Sequence, residues 1–146
     1  EDSGLLILSK YPITYIIEIN LKGLVLPDSL ANKTVMYFRI GRLNFAATHL
    51  QSEYENISEK QINDIVNNSP IDKFILIGDL NNINVPKILN IEQNNFKSTC
   101  EDKIIDYILP IRYYDIKLET RVINIDLDNT SDHYPILANI NEIFTK

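Results

Sequence analysis

Four short polar clusters in this chain combine residue types that can move protons and hold charge. They are Thr48-His49-Leu50-Gln51, Gly78-Asp79-Leu80-Asn81, Ile105-Asp106-Tyr107 and Ser131-Asp132-His133-Tyr134-Pro135. Both histidines of the sequence fall inside them, beside the carboxylates of Asp79, Asp106 and Asp132. Taken singly, an Asp after an apolar run is more often a turn or cap residue than a ligand. Their concentration shifts that balance. Histidine is the side chain best suited to accept a proton near neutral pH, and a neighbouring carboxylate fixes its tautomer. Carboxylate and amide oxygens suit a hard divalent cation, and a second polar donor can face a developing phosphoryl charge. Attack of water on a phosphodiester uses all of these groups at once.

Each cluster adjoins an apolar run, and α/β proteins place their ligands beyond the carboxyl ends of such strands. Residues 4–8 are wholly apolar after Gly4 and predict a strand buried on both faces. Residues 14–19 predict a second strand, and 35–40 and 43–48 two more, joined tightly at Gly41-Arg42. Between them, 23–33 reads as irregular, with Pro27 and Asp28 as turn signals. Ser52 and Glu55 have capping-box spacing, and Ile57, Ile62, Ile65 and Val66 then recur at helical intervals to about residue 67. Further strands are expected at 74–77, 104–109, 122–125 and 136–140, with a short helix at 86–91. The class is α/β or α+β with a mixed sheet. No repeat or low-complexity linker divides the chain.

Bulk properties narrow the partners. Net charge is −6 and there is no basic stripe, so a nucleic-acid backbone is not the favoured ligand. No apolar run is long enough to span a bilayer, and the single cysteine, Cys100, excludes an internal disulfide. With 25 Ile and 17 Asn, the chain has a bias that makes paired asparagines such as Asn81-Asn82 or Asn94-Asn95 poor evidence of function unless spacing supports them.

Spacing does support some of them. The ordered series His49, Gly78-Asp79-Leu80-Asn81, Asp106-Tyr107 and Ser131-Asp132-His133 resembles the endonuclease/exonuclease/phosphatase (DNase I-like) signature. Residues 27–33 (Pro-Asp-Ser-Leu-Ala-Asn-Lys), Thr48-His49-Leu50-Gln51 and the final Ser-Asp-His-Tyr-Pro look like the bacterial-type neutral sphingomyelinases. Residues 4–12 match a strand and turn near the middle of that domain. The resemblance covers nearly all of residues 1–146 and about half of the family domain, so it implies a partial, C-terminal piece of a DNase I-like β-sandwich with flanking helices. Such a piece expects the N-terminal half as its partner, and its inward residues, such as Leu6, Phe45, Phe74 and Ile108, expect a covering layer.

The resemblance implies a metal-dependent phosphodiesterase, with sphingomyelin cleaved to ceramide and phosphocholine. His133 would be the general base and Asp106 its orienting partner. Asp79 and Asn81 would bind phosphate and the attacking water, and His49 would donate to the phosphoryl oxygen. Asp132 would serve the metal site, for Mg²⁺ or another divalent cation such as Mn²⁺. Asp28 and Asn32 read as turn-closing residues, Tyr107 and Tyr134 as packing residues, and Lys33 as a solvated lysine. A secreted or membrane-peripheral location would follow from a sphingomyelinase-like role.

The family's Asn and Glu metal ligands, and the acidic partner of its first histidine, lie in the half without a counterpart here. Thr34 stands where a glycine usually follows the Asn-Lys pair. The stretch 122–130 lacks the aromatic residues of the hairpin by which the secreted enzymes engage membrane. Two other readings therefore stand beside the first: a catalytically incomplete remnant acting as a folding or binding module, and a phosphodiesterase for nucleic acid or inositol phosphates. Residues 1–146 alone are expected to be inactive.

Overall fold

A computed structural model describes residues 4–91, 97–126 and 130–142. Its main sheet has five strands in sequential order: β1 (Ile13–Asn20), β2 (Thr34–Ile40), β3 (Leu43–His49), β4 (Phe74–Asp79) and β5 (Asp106–Ile111). A second sheet pairs β6 (Ile116–Val122) with β7 (Ile136–Glu142). Only β3 and β4 run parallel, linked by helix α1 (Glu55–Asn67); the other pairs are antiparallel. The sheet is mixed, as expected, because a helix must carry the chain back between parallel neighbours.

Period-two alternation along β4 builds the layers. Phe74 and Leu76 join Tyr37, Ala46, Leu109 and the α1 residues Ile62 and Ile65 in the larger core, with Val85 of the short helix α2 (Val85–Leu89). Ile75 and Ile77 face the other way, onto Tyr113, Ile116, Leu118 and Ile140 of the two-stranded sheet and its approach. Each fully buried Ile, Leu or Phe contributes roughly 1.5–3 kcal/mol, so both faces of β4 anchor the strand. Phe74, expected to need a covering layer, is fully buried and meets Tyr37 edge-to-face at 5.7 Å. Phe45 stacks on Phe38 at 5.2 Å.

Several local expectations are corrected. Residues 4–8 form no strand, and Leu6 and Leu8 are 79 % and 84 % exposed. An apolar run signals a demand for burial but not what covers it. Strand β6 was not anticipated, although Ile116, Leu118, Thr120 and Val122 alternate with Lys117, Glu119 and Arg121; residues 123–125, read as a strand, lie beyond it. The capping box does not form. Tyr54 occupies the N-cap without a side-chain bond, because both the hydroxyl and the backbone N–H of Ser52 donate to Asp28 Oδ2. Asn94-Asn95 fall outside the described residues.

Candidate active site

The rim of the main sheet gathers the predicted residues by register. Because β3 and β4 are parallel, their carboxyl ends lie together, and His49 pairs directly with Asp79. The antiparallel β5 begins where β4 ends, so Asp106 pairs with Asp79 from the other side. The segment after β6 returns to the same place: Cys100 forms an isolated antiparallel bridge with His133, and the Tyr134 N–H donates to the Thr99 carbonyl at 2.7 Å.

Close packing of β3 on β4 depends on Gly78. Its φ is +133°, and a Cβ there would lie 1.9 Å from the Thr48 carbonyl oxygen. No side chain fits. The glycine lets the two strands converge just before His49 and Asp79.

His133 Nδ1 lies 2.8 Å from Asp106 Oδ2. Burial by itself lowers the His133 pKa, but the hydrogen bond to Asp106 and the charges of Asp106, Asp79 and Asp132 outweigh it, and the net direction is upward. Asp132 is exposed, with Oδ1 4.0 Å from His133 Nε2. His49 moves the other way. Burial and the nearby Lys33 charge push its pKa down, against the pull of Asp79. The His49 Nε2 stands 3.6 Å from Asp79 Oδ2, so a carboxylate faces it.

Asp79 has a pKa raised by burial and by the like charge of Asp106, partly offset by the Asn81 N–H, which donates to its Oδ1 at 2.8 Å. Asn81 sits at φ +46°, a left-handed conformation asparagine tolerates, and its amide donates to the Leu50 carbonyl at 3.1 Å. Asp79, Asp106 and His133 bring one ligand atom each to within 4.8 Å of one another. Two carboxylates crowded at one rim are a donor set that a hard cation relieves. Each commits one oxygen to a hydrogen bond and has a second to offer.

Two supporting residues escaped the sequence reading. Thr99 is fully buried, and its Oγ1 accepts the N–H groups of both Ile105 and Asp106 at 3.2 Å. It thereby holds Asp106, while its carbonyl holds the His133-Tyr134 segment; nothing in its sequence context marks it. Lys33, read as solvated, is 4 % exposed: Nζ donates to the Leu50 carbonyl at 2.8 Å and lies 3.3 Å from Asp28 Oδ1. Burial pushes its pKa down, and its charge is compensated within the fold. Leu50 thus offers one carbonyl to both Lys33 and Asn81. Asp28 has the structural role expected of it, bonding Ser52 and Lys33, and Tyr107 is buried with its hydroxyl donating to the Ile104 carbonyl at 2.8 Å. Asn82 is likewise structural, its amide donating to the Glu55 carbonyl and Ser58 Oγ on α1.

This arrangement of a mixed sheet, a smaller second sheet, two helices and a polar rim is the DNase I-like α/β fold, in the form taken by the bacterial sphingomyelinases. A doubly alanine-substituted beta toxin from Staphylococcus aureus, solved with bound magnesium ions, superposes with a TM-score of 0.73 at 22 % identity, covering 94 % of this chain and 68 % of that one. Sphingomyelinase C from Streptomyces griseocarneus gives 0.71 at 18 % identity, covering 89 % and 65 %. A beta-hairpin deletion form of the Staphylococcus aureus toxin gives 0.67 at 22 % identity, covering 99 % and 67 %. The chain therefore spans about two thirds of the length of these structures. At such identities the likeness is one of fold. No protein-family model matches the sequence, and no curated protein matches it.

Proposed function

We propose that this chain is the base-bearing part of a divalent-metal-dependent phosphodiesterase that cleaves sphingomyelin to ceramide and phosphocholine. The observation that carries the reading is the His133–Asp106 pair at 2.8 Å, set beside Asp79 on the rim. The sphingomyelinase-type fold supports the substrate choice.

In this reading the Nε2 of His133 takes a proton from water, whose oxygen attacks phosphorus as the P–O bond to ceramide breaks and the departing oxygen takes a proton from solvent. Asp106 accepts the Nδ1 proton in a hydrogen bond, so the neutral tautomer presents its lone pair at Nε2. The pair also stabilises the imidazolium that forms. His49, with its pKa lowered, is a neutral imidazole that still carries one N–H, which it directs to a phosphoryl oxygen as charge builds. Asn81, turned by its left-handed backbone and held by Leu50 and Asp79, positions phosphate and the attacking water. The second oxygens of Asp79 and Asp106, with Asp132 directly or through water, are the groups that would hold Mg²⁺ or Mn²⁺, which supplies neutralisation of phosphoryl charge when bound.

A hard cation of this kind takes about six oxygen ligands, more than these carboxylates provide. Turnover is accordingly expected of a full-length parent that adds ligands, and not of residues 1–146 alone. The test is hydrolysis of sphingomyelin vesicles by the parent protein, with Mg²⁺ and with a chelator, beside duplex DNA and an inositol phosphate diester. Mg²⁺-dependent release of phosphocholine, lost in His133→Ala, is the expected result. Hydrolysis of the other diesters but not sphingomyelin would replace the substrate, and full activity in His133→Ala would remove the base.

A further inference from the structure

The proposed base His133 also belongs to a second ligand set of different chemical character. Cys100, Asp132 and His133 each bring one ligand atom to within 4.8 Å of the other two. The isolated bridge between Cys100 and His133 fixes two of them as neighbours, and the adjoining turn is closed by the Lys103 N–H donating to the Cys100 carbonyl at 2.8 Å. Asp132 is exposed, with Oδ1 4.0 Å from His133 Nε2.

We propose that Cys100, Asp132 and His133 form a binding site for a thiophilic divalent cation of the Zn²⁺ class, which on binding takes the ring nitrogen His133 needs as a base. A sulfur, an imidazole nitrogen and a carboxylate are a zinc-type donor set, and three protein ligands leave one position for water. The set discriminates by softness, because thiolate and imidazole favour Zn²⁺ while Mg²⁺ takes oxygen. The orientation of the His133 ring suits a metal ligand. His133 Nδ1 is already held by Asp106 at 2.8 Å, so Nε2 is the nitrogen left on the Asp132 side, and a carboxylate bound to the far nitrogen is the usual support of a metal-ligating histidine. Tetrahedral bonds of about 2.0–2.3 Å require the three donors to draw together somewhat, a movement the exposed Asp132 side chain can supply. Metal binding displaces the thiol proton of Cys100 to solvent, with no redox change.

The inhibitory part of this proposal rests on His133 acting as the base; the site itself does not. Binding is therefore read directly, by titrating the 146-residue chain with Co²⁺ as a spectroscopic stand-in for Zn²⁺ and then displacing it with Zn²⁺. One equivalent of Co²⁺ should produce a thiolate-to-cobalt charge-transfer band that Zn²⁺ removes and excess Mg²⁺ does not. Cys100→Ser should abolish the band, and Asp132→Asn should keep it while weakening affinity about tenfold or more. A folded wild-type chain that shows no band, or a Co²⁺ affinity unchanged in Cys100→Ser, overturns the site. In the active parent, Zn²⁺ should inhibit the wild type at concentrations that leave Cys100→Ser unaffected. Equal inhibition of both, with the band intact, overturns the inhibitory role alone, and absence of any hydrolysis bears on the proposed function rather than on this site.

Discussion

His133 and Asp106 stand 27 residues apart in sequence, yet Nδ1 of one meets Oδ2 of the other at 2.8 Å. The contact requires the start of β5 and the segment before β7 to share one rim, and Thr99 joins them through its hydroxyl and its carbonyl. The two histidines of the chain consequently occupy opposite electrostatic settings.

Those settings predict opposite titrations. Starting from the ordinary 6.5, His133 should titrate higher and His49 lower. For His133, the raised folded-state pKa makes the contact with Asp106 stabilising below the unfolded value, and that contribution is lost as pH rises through the folded pKa. His49 is only partly buried, but its folded-state pKa is lowered, so it penalises the fold as pH falls below 6.5. Imidazole resonances followed by NMR, with each histidine replaced in turn for assignment, should separate on either side of 6.5. Coincident titrations would contradict the arrangement.

In the active parent, His133→Ala should lower kcat by roughly 10²–10⁴-fold, the usual range for a general base. Asp106→Asn keeps the shape but offers His133 an amide, so the imidazole loses its orienting carboxylate and its raised pKa. The acid limb of the pH–rate profile should then move to lower pH while kcat falls. An Asp106→Asn enzyme with an unshifted limb would show that the pair does not tune the base.

Thr99→Val removes one acceptor and leaves the buried N–H of Ile105 and the part-buried N–H of Asp106 without their partner. Each such loss costs about 1–3 kcal/mol, and the shape is nearly unchanged. Urea denaturation should register the loss, and the His133 titration should drift back toward 6.5. A stability loss without that drift would make Thr99 a packing residue only.

Gly78→Ala should be among the most damaging single substitutions. The added carbon meets a backbone carbonyl at 1.9 Å, and a φ of +133° is foreign to alanine. Strained backbone alone costs about 1–3 kcal/mol, and separating β3 from β4 adds to it. Gly41→Ala, at φ +58° with open space around it, is the control and should lose only the left-handed backbone cost of about 1–2 kcal/mol. Comparable losses at both glycines would argue against the close approach.

With a net charge of −6, the chain should bind duplex DNA at physiological salt no more tightly than about 1 μM. A filter-binding or anisotropy titration decides it.

Residue type, their concentration at the ends of apolar runs and the resemblance that their order carries marked His49, Asp79, Asn81, Asp106, Asp132 and His133 as one set of candidates. Alternation and helical spacing likewise located β2, β3, β4 and α1 to within a residue or two of their bounds. These are local signals, carried by the period of the backbone. Whether Lys33 faced water, what Ser52 bonded and whether residues 4–8 found a neighbouring strand were not legible, since each depends on which distant segment arrives alongside. Ser52 fitted a capping box by spacing, but a carboxylate 24 residues earlier took its hydroxyl. Thr99 and Leu50 carry no chemical mark at all, and they matter only because a hydroxyl and a carbonyl come to rest where Asp106, Lys33 and Asn81 need partners. Sequence determines which groups can react and which stretches must be buried. The distances between them, and with those the direction in which each histidine titrates, belong to tertiary structure, because charge and hydrogen bonding act through space and not along the chain.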